Sequence, residues 1–315
     1  VPEEQAIQES ITLSTEERAV LKTLLYFDIF NYPLKPSEIH QFAPIKMSPI
    51  NVVPCLNFMS NCGLIQQLGS YYSVKNDQEL VTRRELGNKS AKGLMNRARR
   101  MSKFISRFPF VRGVYISGSL SKGFIDEEGD IDFFIITKPG RLWIARSLLI
   151  AFKKVFLLNS KKYFCVNYFI DTDHLEIPDK NIFTATEVRT LLPMYNLKLY
   201  EDFVAANGWA EAYLPNYKRQ DTDSVIRQQS YLIKGVVETI LRWGIGNWFD
   251  ERLMKATMRR WKAKFSHFTD EYFEHALRSR KYVSKHHPQN FQKKVLDALE
   301  EKEVAYKKDH SIQFE

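Results

Sequence analysis

Two carboxylates and a glycine–serine pair carry the chemistry this chain could perform. Asp130 and Asp132 flank Ile131 at the head of an apolar run, residues 133–136. A strand has a side-chain period of two, so both carboxylates project from one face. Two acids at that spacing, ahead of a greasy strand, are costly to bury unless a cation neutralises them. Mg²⁺ suits the task, being a hard ion that takes one or two carboxylates together with substrate phosphates. Upstream, the apolar run Val114-Tyr115-Ile116 ends in Ser117-Gly118-Ser119. Gly118 and Ser119 offer backbone N–H groups at the start of a helix or turn, a natural phosphate seat. Together the two halves describe a site for a metal-bound polyphosphate. The bland alternative for the acids is a strand cap, because Asp126-Glu127-Glu128-Gly129 just before them is a solvated turn.

The elements that must position these residues follow from periodicity. Residues 111–116 and 131–137 read as strands, with a helical turn over 119–124 between them. Pro139-Gly140 makes a turn into a helix over 141–157, where Leu142, Ala145, Leu148, Leu149 and Phe152 recur at three- and four-residue spacing. Residues 163–170 form a third strand. Thr184-Ala185-Thr186-Glu187 resembles a helix start leading into residues 188–200. Strand, phosphate turn, carboxylate strand, helix, strand is an α+β core with a small mixed sheet. Beyond Asn207-Gly208-Trp209 the composition is helical to the end. A helix over 225–243 is expected to stop at Gly244-Ile245-Gly246, with others over 249–265, 269–278 and 291–306. Arg141, Trp143 and Arg146 could line a nucleotide pocket, although Trp143 fits a core equally well. His174, His286 and His287 have no partner at ligand spacing and read as surface histidines.

The first 76 residues suggest a winged-helix-like domain. Ser14 stands three residues before Glu17, a capping pattern, and apolar residues follow at helical spacing. Pro36 and Pro49 open two further helices, with Pro54 kinking or bounding the second. Gly69 then turns one short strand into another. Such domains read DNA with the third helix. Residues 48–61 carry no Lys or Arg, whereas DNA affinity rests mostly on phosphate neutralisation. Packing or protein contact is therefore the better reading, and DNA binding is disfavoured. Residues 77–109 form a basic connector helix containing Arg83, Arg84, Lys89, Lys92, Arg97, Arg99, Arg100 and Lys103. It is either a solvated spacer or a wall that attracts a polyanion. Gly87 and Gly93 should weaken or bend it.

Composition narrows the class without choosing a partner. The 315 residues are 44% hydrophobic and 26% charged, as in a globular protein with two or three domains. A net charge of +9 is compatible with nucleotides, nucleic acids or anionic membranes and selects none of them. Cys55, Cys62 and Cys165 are scattered, with no metal-ligand spacing, and read as reduced thiols in a cytoplasmic protein. Residues 142–158 are interrupted by Arg146, Lys153 and Lys154, so no membrane span is expected. Residues 1–14 are polar and acidic, unlike a signal peptide.

Residues 118–132 resemble the DNA polymerase β-like nucleotidyltransferase superfamily. Its signature is an apolar strand, Gly-Ser, about ten residues, then Asp-x-Asp opening the next strand. Here the match is Gly118-Ser119 and Asp130-Ile131-Asp132, and Gly118-Ser119-Leu120-Ser121-Lys122-Gly123 looks like the family's G-S-x-x-[RK]-G turn. The resemblance covers roughly residues 110–200. It implies that Gly118, Ser119 and Lys122 hold the triphosphate, and that Asp130 and Asp132 are the catalytic metal ligands. The family usually adds a third acid on the next strand. That position falls on neutral Asn167, and Asp171 on the same face lies roughly 13 Å further along. Either Asn167 ligates through its amide oxygen, or Asp171, Asp173 or Glu176 substitutes, or catalysis is reduced.

The expected domains are thus a winged-helix-like unit (1–76), a basic connector (77–109), a nucleotidyltransferase core (110–205) and a helical C-terminal region (206–315). The implied activity uses Mg²⁺ or Mn²⁺ to transfer a nucleoside monophosphate from an NTP to an acceptor hydroxyl or phosphate. That acceptor could be a small molecule, a protein or RNA. The alternatives are a catalytically weak nucleotide-binding scaffold of the same fold, or a winged-helix DNA-binding regulator.

Overall fold

A computed structural model describes residues 11–158, 160 and 162–314. Most of the polar N-terminal stretch compared above with a leader, residues 1–10, lies outside them. The described chain opens with β1 (Ile11–Leu13) and α1 (Thr15–Asp28). Ser14 caps α1: its hydroxyl accepts from the Glu17 N–H, and the Glu17 carboxylate accepts from the Ser14 N–H at 2.8 Å. Next come α2 (Pro36–Phe42), α3 (Pro49–Asn61) and the antiparallel pair β2 (Gln66–Leu68) and β3 (Tyr71–Ser73). Three helices and a hairpin are the expected order, and Pro54 sits inside α3 rather than at its boundary.

α4 (Glu79–Ile105) is one uninterrupted helix. Gly87 admits the Phe124 ring, which a Cβ there would approach to 2.2 Å. Arg84 is buried and pairs with Glu38 at 2.5 Å. It also sits over the rings of Tyr32 and Tyr71. The connector therefore packs against both of its neighbours.

The core contains β4 (Val111–Ser117), α5 (Gly118–Ser121), β5 (Asp132–Thr137), α6 (Leu142–Phe156) and β6 (Cys165–Asp171). These are followed by α7 (Ile182–Thr190), β7 (Leu192–Tyr195) and α8 (Leu197–Ala206). The region expected to be one helix from 188 to 200 is thus a helix end, a strand and a new helix. Pro193 masked the strand, and it is tolerated because β7 is the sheet's edge strand, with β4 on one side and an isolated bridge from Tyr195 to Ile226 on the other.

The rest comprises α9 (Leu232–Ile240), α10 (Gly244–Lys264), α11 (Asp270–Leu277), β8 (Ser279–Arg280), β9 (Val283–Lys285), α12 (Phe291–Asp309) and β10 (Ile312–Phe314). Gly244 and Gly246 begin α10 rather than only closing the helix before it. The C-terminal region is also less purely helical than its composition suggests. β9 pairs antiparallel with β6, which extends the mixed sheet to six strands in the order β7-β4-β5-β6-β9-β8. β10 pairs with β1, and Val295 and Leu299 of α12 complete the N-terminal hydrophobic cluster.

Alternation divides the sheet. Val114, Ile116, Phe133 and Ile135 pack with Trp143 and Leu149 of α6 on one face. Tyr115, Phe134 and Ile136 pack with Val188 of α7 and Phe203 of α8 on the other. Burying each of these large side chains stabilises the fold by roughly 1.5–3 kcal/mol, so the sheet is a firm base for a site at the ends of β4 and β5. The protein is of the α+β class. Among the described residues no helix is long and apolar enough to cross a membrane.

α10 is fastened to α6 by Asp250. Its carboxylate is buried and accepts from the Ile144 N–H at 2.9 Å, satisfying a donor in the first turn of α6. Burial pushes the Asp250 carboxyl up to about 6. The folded protein therefore holds this proton more tightly than the unfolded chain. The group's contribution to stability is full below the unfolded value near 4 and lost as pH rises through 6. Asp250→Asn keeps an acceptor and removes the buried charge. It should stabilise the protein at pH 8 by on the order of 1 kcal/mol, with the gain vanishing toward pH 4. Thermal unfolding across that range checks it, and a gain independent of pH would refute the assignment.

Candidate active site

The β4–β5 register pairs Ser117 with Asp132, which sets the glycine–serine turn directly against the second carboxylate. Gly118 leaves the strand at φ +68°, and a Cβ there would lie 2.7 Å from Asp132 Oδ2. The left-handed backbone and the close approach both require glycine. α5 then turns the chain so that Lys122 Nζ reaches back to the Gly118 carbonyl at 3.0 Å. Gly118, Ser119, Lys122 and Asp132 line a single cavity of about 680 Å³. Asp130 precedes β5 in a half-buried position and stands outside that lining. It is near enough for its charge to act on Asp132.

Asn167 joins this group. Its side-chain amide donates to Asp132 Oδ1 at 3.4 Å and to Cys165 Sγ at 2.9 Å. The β5–β6 register slips at this point, pairing Phe133 with Val166 and Phe134 with Tyr168. Asn167 is the extra residue of that bulge, and bulges re-aim side chains.

Asp171 does not join it. Asp171 pairs in register with Thr137, at the opposite end of β5 from Asp132. Its carboxylate accepts from the Asp173 N–H and pairs with His174 at 2.7 Å, closing a loop. Glu176 is tied to Lys180. None of the acids proposed as substitutes for Asn167 lines the cavity.

An acid that the sequence did not single out, Glu187 of α7, lines the cavity against Lys122. One oxygen accepts from Lys122 Nζ at 2.6 Å and the other from the Gly118 N–H at 3.1 Å. The sequence offered Glu187 only as part of a helix start, and α7 is in fact capped earlier, by Asn181. Pairing across the fold was the missing information.

Burial pushes the Asp132 carboxyl up to about 6, with repulsion from Asp130 and Glu187 adding to it. A hydrogen bond with Cys165 and the charge of Lys122 oppose the rise. The charge of Asp132 is thus opposed by those of Asp130 and Glu187 and favoured by one lysine, which Glu187 already engages. A hard divalent cation would relieve this imbalance, so the donor set fits Mg²⁺ or Mn²⁺ held by Asp130 and Asp132. Among the described residues no cluster of three His, Cys, Asp or Glu could hold a metal alone. Substrate phosphates would complete the shell, as is usual for Mg²⁺.

Other readings of the sequence move away from the site. Trp143 is fully buried, and its indole donates to the Arg280 carbonyl. Arg146 lies over Trp261, and Arg141 clamps the start of α10 through Asn247 and the Leu241 carbonyl. Of the connector's basic residues only Arg83 lines the cavity, and it is paired with Asp126 at 2.6 Å. His287, read as a surface residue, also lines the cavity, and burial pushes its ring down to about 4. It is neutral at pH 7.

No curated protein and no solved structure matches the chain. A family model, described as a nucleotidyltransferase domain, matches residues 98–186. That span holds β4, α5, β5, α6 and β6, which set the glycine–serine turn against the carboxylates. Residues 98–186 are therefore similar to a nucleotidyltransferase domain, consistent with the polymerase β-like resemblance of residues 110–200.

Proposed function

We propose that this protein is a Mg²⁺- or Mn²⁺-dependent transferase that moves a nucleoside monophosphate from an NTP to an acceptor hydroxyl. The observation that carries the reading is the Ser117–Asp132 pairing, which faces phosphate-binding backbone and Lys122 toward a desolvated carboxylate. Gly118, Ser119 and Lys122 bind and orient the triphosphate. Asp130 and Asp132 would hold the cation, which would neutralise phosphate charge. The acceptor oxygen forms a bond to the α-phosphorus while the bond from that phosphorus to the bridging oxygen breaks. Pyrophosphate leaves with the electron pair, and the hydroxyl proton passes to water. Asn167 cannot take that proton, since an amide is no base, so positioning and charge supply the acceleration.

Incubation with α-labelled NTPs, Mg²⁺ and a cell extract should give labelled product, and EDTA should abolish it. Absence of label in every NTP would sink the reading. Asn167 favours a second reading, a scaffold that binds Mg²⁺–NTP without turnover, and binding without labelled product would establish it. A DNA-binding role has less support. α3 buries Val52, Cys55, Leu56 and Met59 and exposes apolar Ile50 and Val53 instead of cations. Duplex binding at low salt would restore that role. A cytoplasmic location accords with the three free cysteines.

A further inference from the structure

The cavity extends well beyond the phosphate turn. Its far arm is walled by Phe30 and Tyr32 from the turn between α1 and α2, Phe124 from the core loop, Phe183 of α7 and Phe291 of α12. The ring of Phe291 lies 6.1 Å from those of both Phe30 and Phe183. A volume of about 680 Å³ is the size of a small-molecule site, which is commonly apolar with a few placed polar groups. The charges in the wall are already spent. Arg83 pairs with Asp126, and Lys285 bonds Gln292 and lies 3.8 Å from Asp179.

One polar group is not spent. Asn290 is 4% exposed, lines the cavity, and its Nδ2 has no hydrogen-bond partner. An orphaned buried donor is costly and is satisfied when an acceptor oxygen arrives. Nearby His287 is neutral and adds no cation to the arm.

We propose that this arm is the acceptor pocket, and that the acceptor is a small uncharged molecule with a ring body. One of its oxygens takes the hydrogen bond from Asn290 Nδ2 once that shielded amide turns into the cavity, and a hydroxyl on it faces Asp132. The assignment rests on the transferase reading above. A nucleic-acid end would need a basic track for its backbone. Arg83 and Lys285 are two separate cations on this wall and form no such track.

The experiment uses the full chain, Mg²⁺, α-labelled NTPs and a cell extract split by dialysis into small-molecule and macromolecular fractions. Binding of Mg²⁺–NTP is measured separately by calorimetry. Label should enter the small-molecule fraction. Phe291→Trp, which narrows the arm, and Asn290→Gly, which removes the donor and tolerates the left-handed backbone, should each cut that labelling at least about tenfold. Mg²⁺–NTP binding should stay within about twofold in both. Label confined to RNA or protein, no label despite NTP binding, or undiminished labelling in both variants overturns the pocket assignment alone. Weakened NTP binding in both folded variants shows instead that the arm seats the nucleotide base, and also overturns it. Failure of the wild type to bind Mg²⁺–NTP overturns the transferase reading and this assignment together.

Discussion

Replacing Asp130 and Asp132 together by asparagine should lower nucleotidyl transfer by at least about a thousandfold, the scale on which removing preorganised charge acts. The protein should remain folded. Asp132 is a carboxylate whose burial beside Asp130 and Glu187 raises its proton affinity, so its charged form costs stability near neutral pH. An amide of the same shape removes that cost, and the thermal midpoint should not fall in metal-free buffer. Activity and stability thus part company, as expected where charge is concentrated for function. The check is a labelled-transfer assay alongside thermal unfolding with EDTA. Transfer that survives in the double variant would remove both acids from the chemistry. Loss of transfer together with a lower midpoint would make them structural.

What the sequence made legible was local. Gly118, Ser119, Lys122 and Asp132 lie within one turn and two strand ends, so their spacing encodes their meeting, while Asp130 stands just outside the cavity lining. The strands that hold them follow from alternation, Tyr115 and Phe134 facing one way and Val114 and Phe133 the other. What stayed hidden depended on pairing at a distance. β7 was obscured by Pro193, whose missing N–H matters little at an edge. β8 and β9 are two and three residues long and rich in charge, too short to show a period. Yet β9 places His287, Asn290 and Phe291 beside the core. The acid on the third strand was sought by parity along β6. A bulge at Asn167 breaks that parity, and the acid that faces Lys122 arrives from α7 instead.

That acid suggests how the site waits for its substrate. Glu187 takes the donors that the resemblance assigns to a triphosphate, the Gly118 N–H and Lys122 Nζ. A carboxylate accepting both behaves as an internal anion in the phosphate seat. An incoming polyphosphate must displace it and meet its charge. Glu187→Gln keeps the length and hydrogen-bonding capacity of the side chain but releases Lys122 from its ion pair. It should tighten NTP binding by about tenfold, equal to about 1.4 kcal/mol. Lys122→Met should weaken binding by at least as much, since a charge-assisted contact to phosphate is lost. With Lys122 absent, Glu187→Gln should recover little of the loss, because the carboxylate acts mainly through the lysine it holds. Calorimetry on the two single variants and the double variant measures that coupling directly. A different outcome would reassign the residue. If Glu187→Gln leaves NTP binding unchanged but lowers turnover as far as the Asp130/Asp132 double variant does, Glu187 is the catalytic acid that Asn167 cannot be.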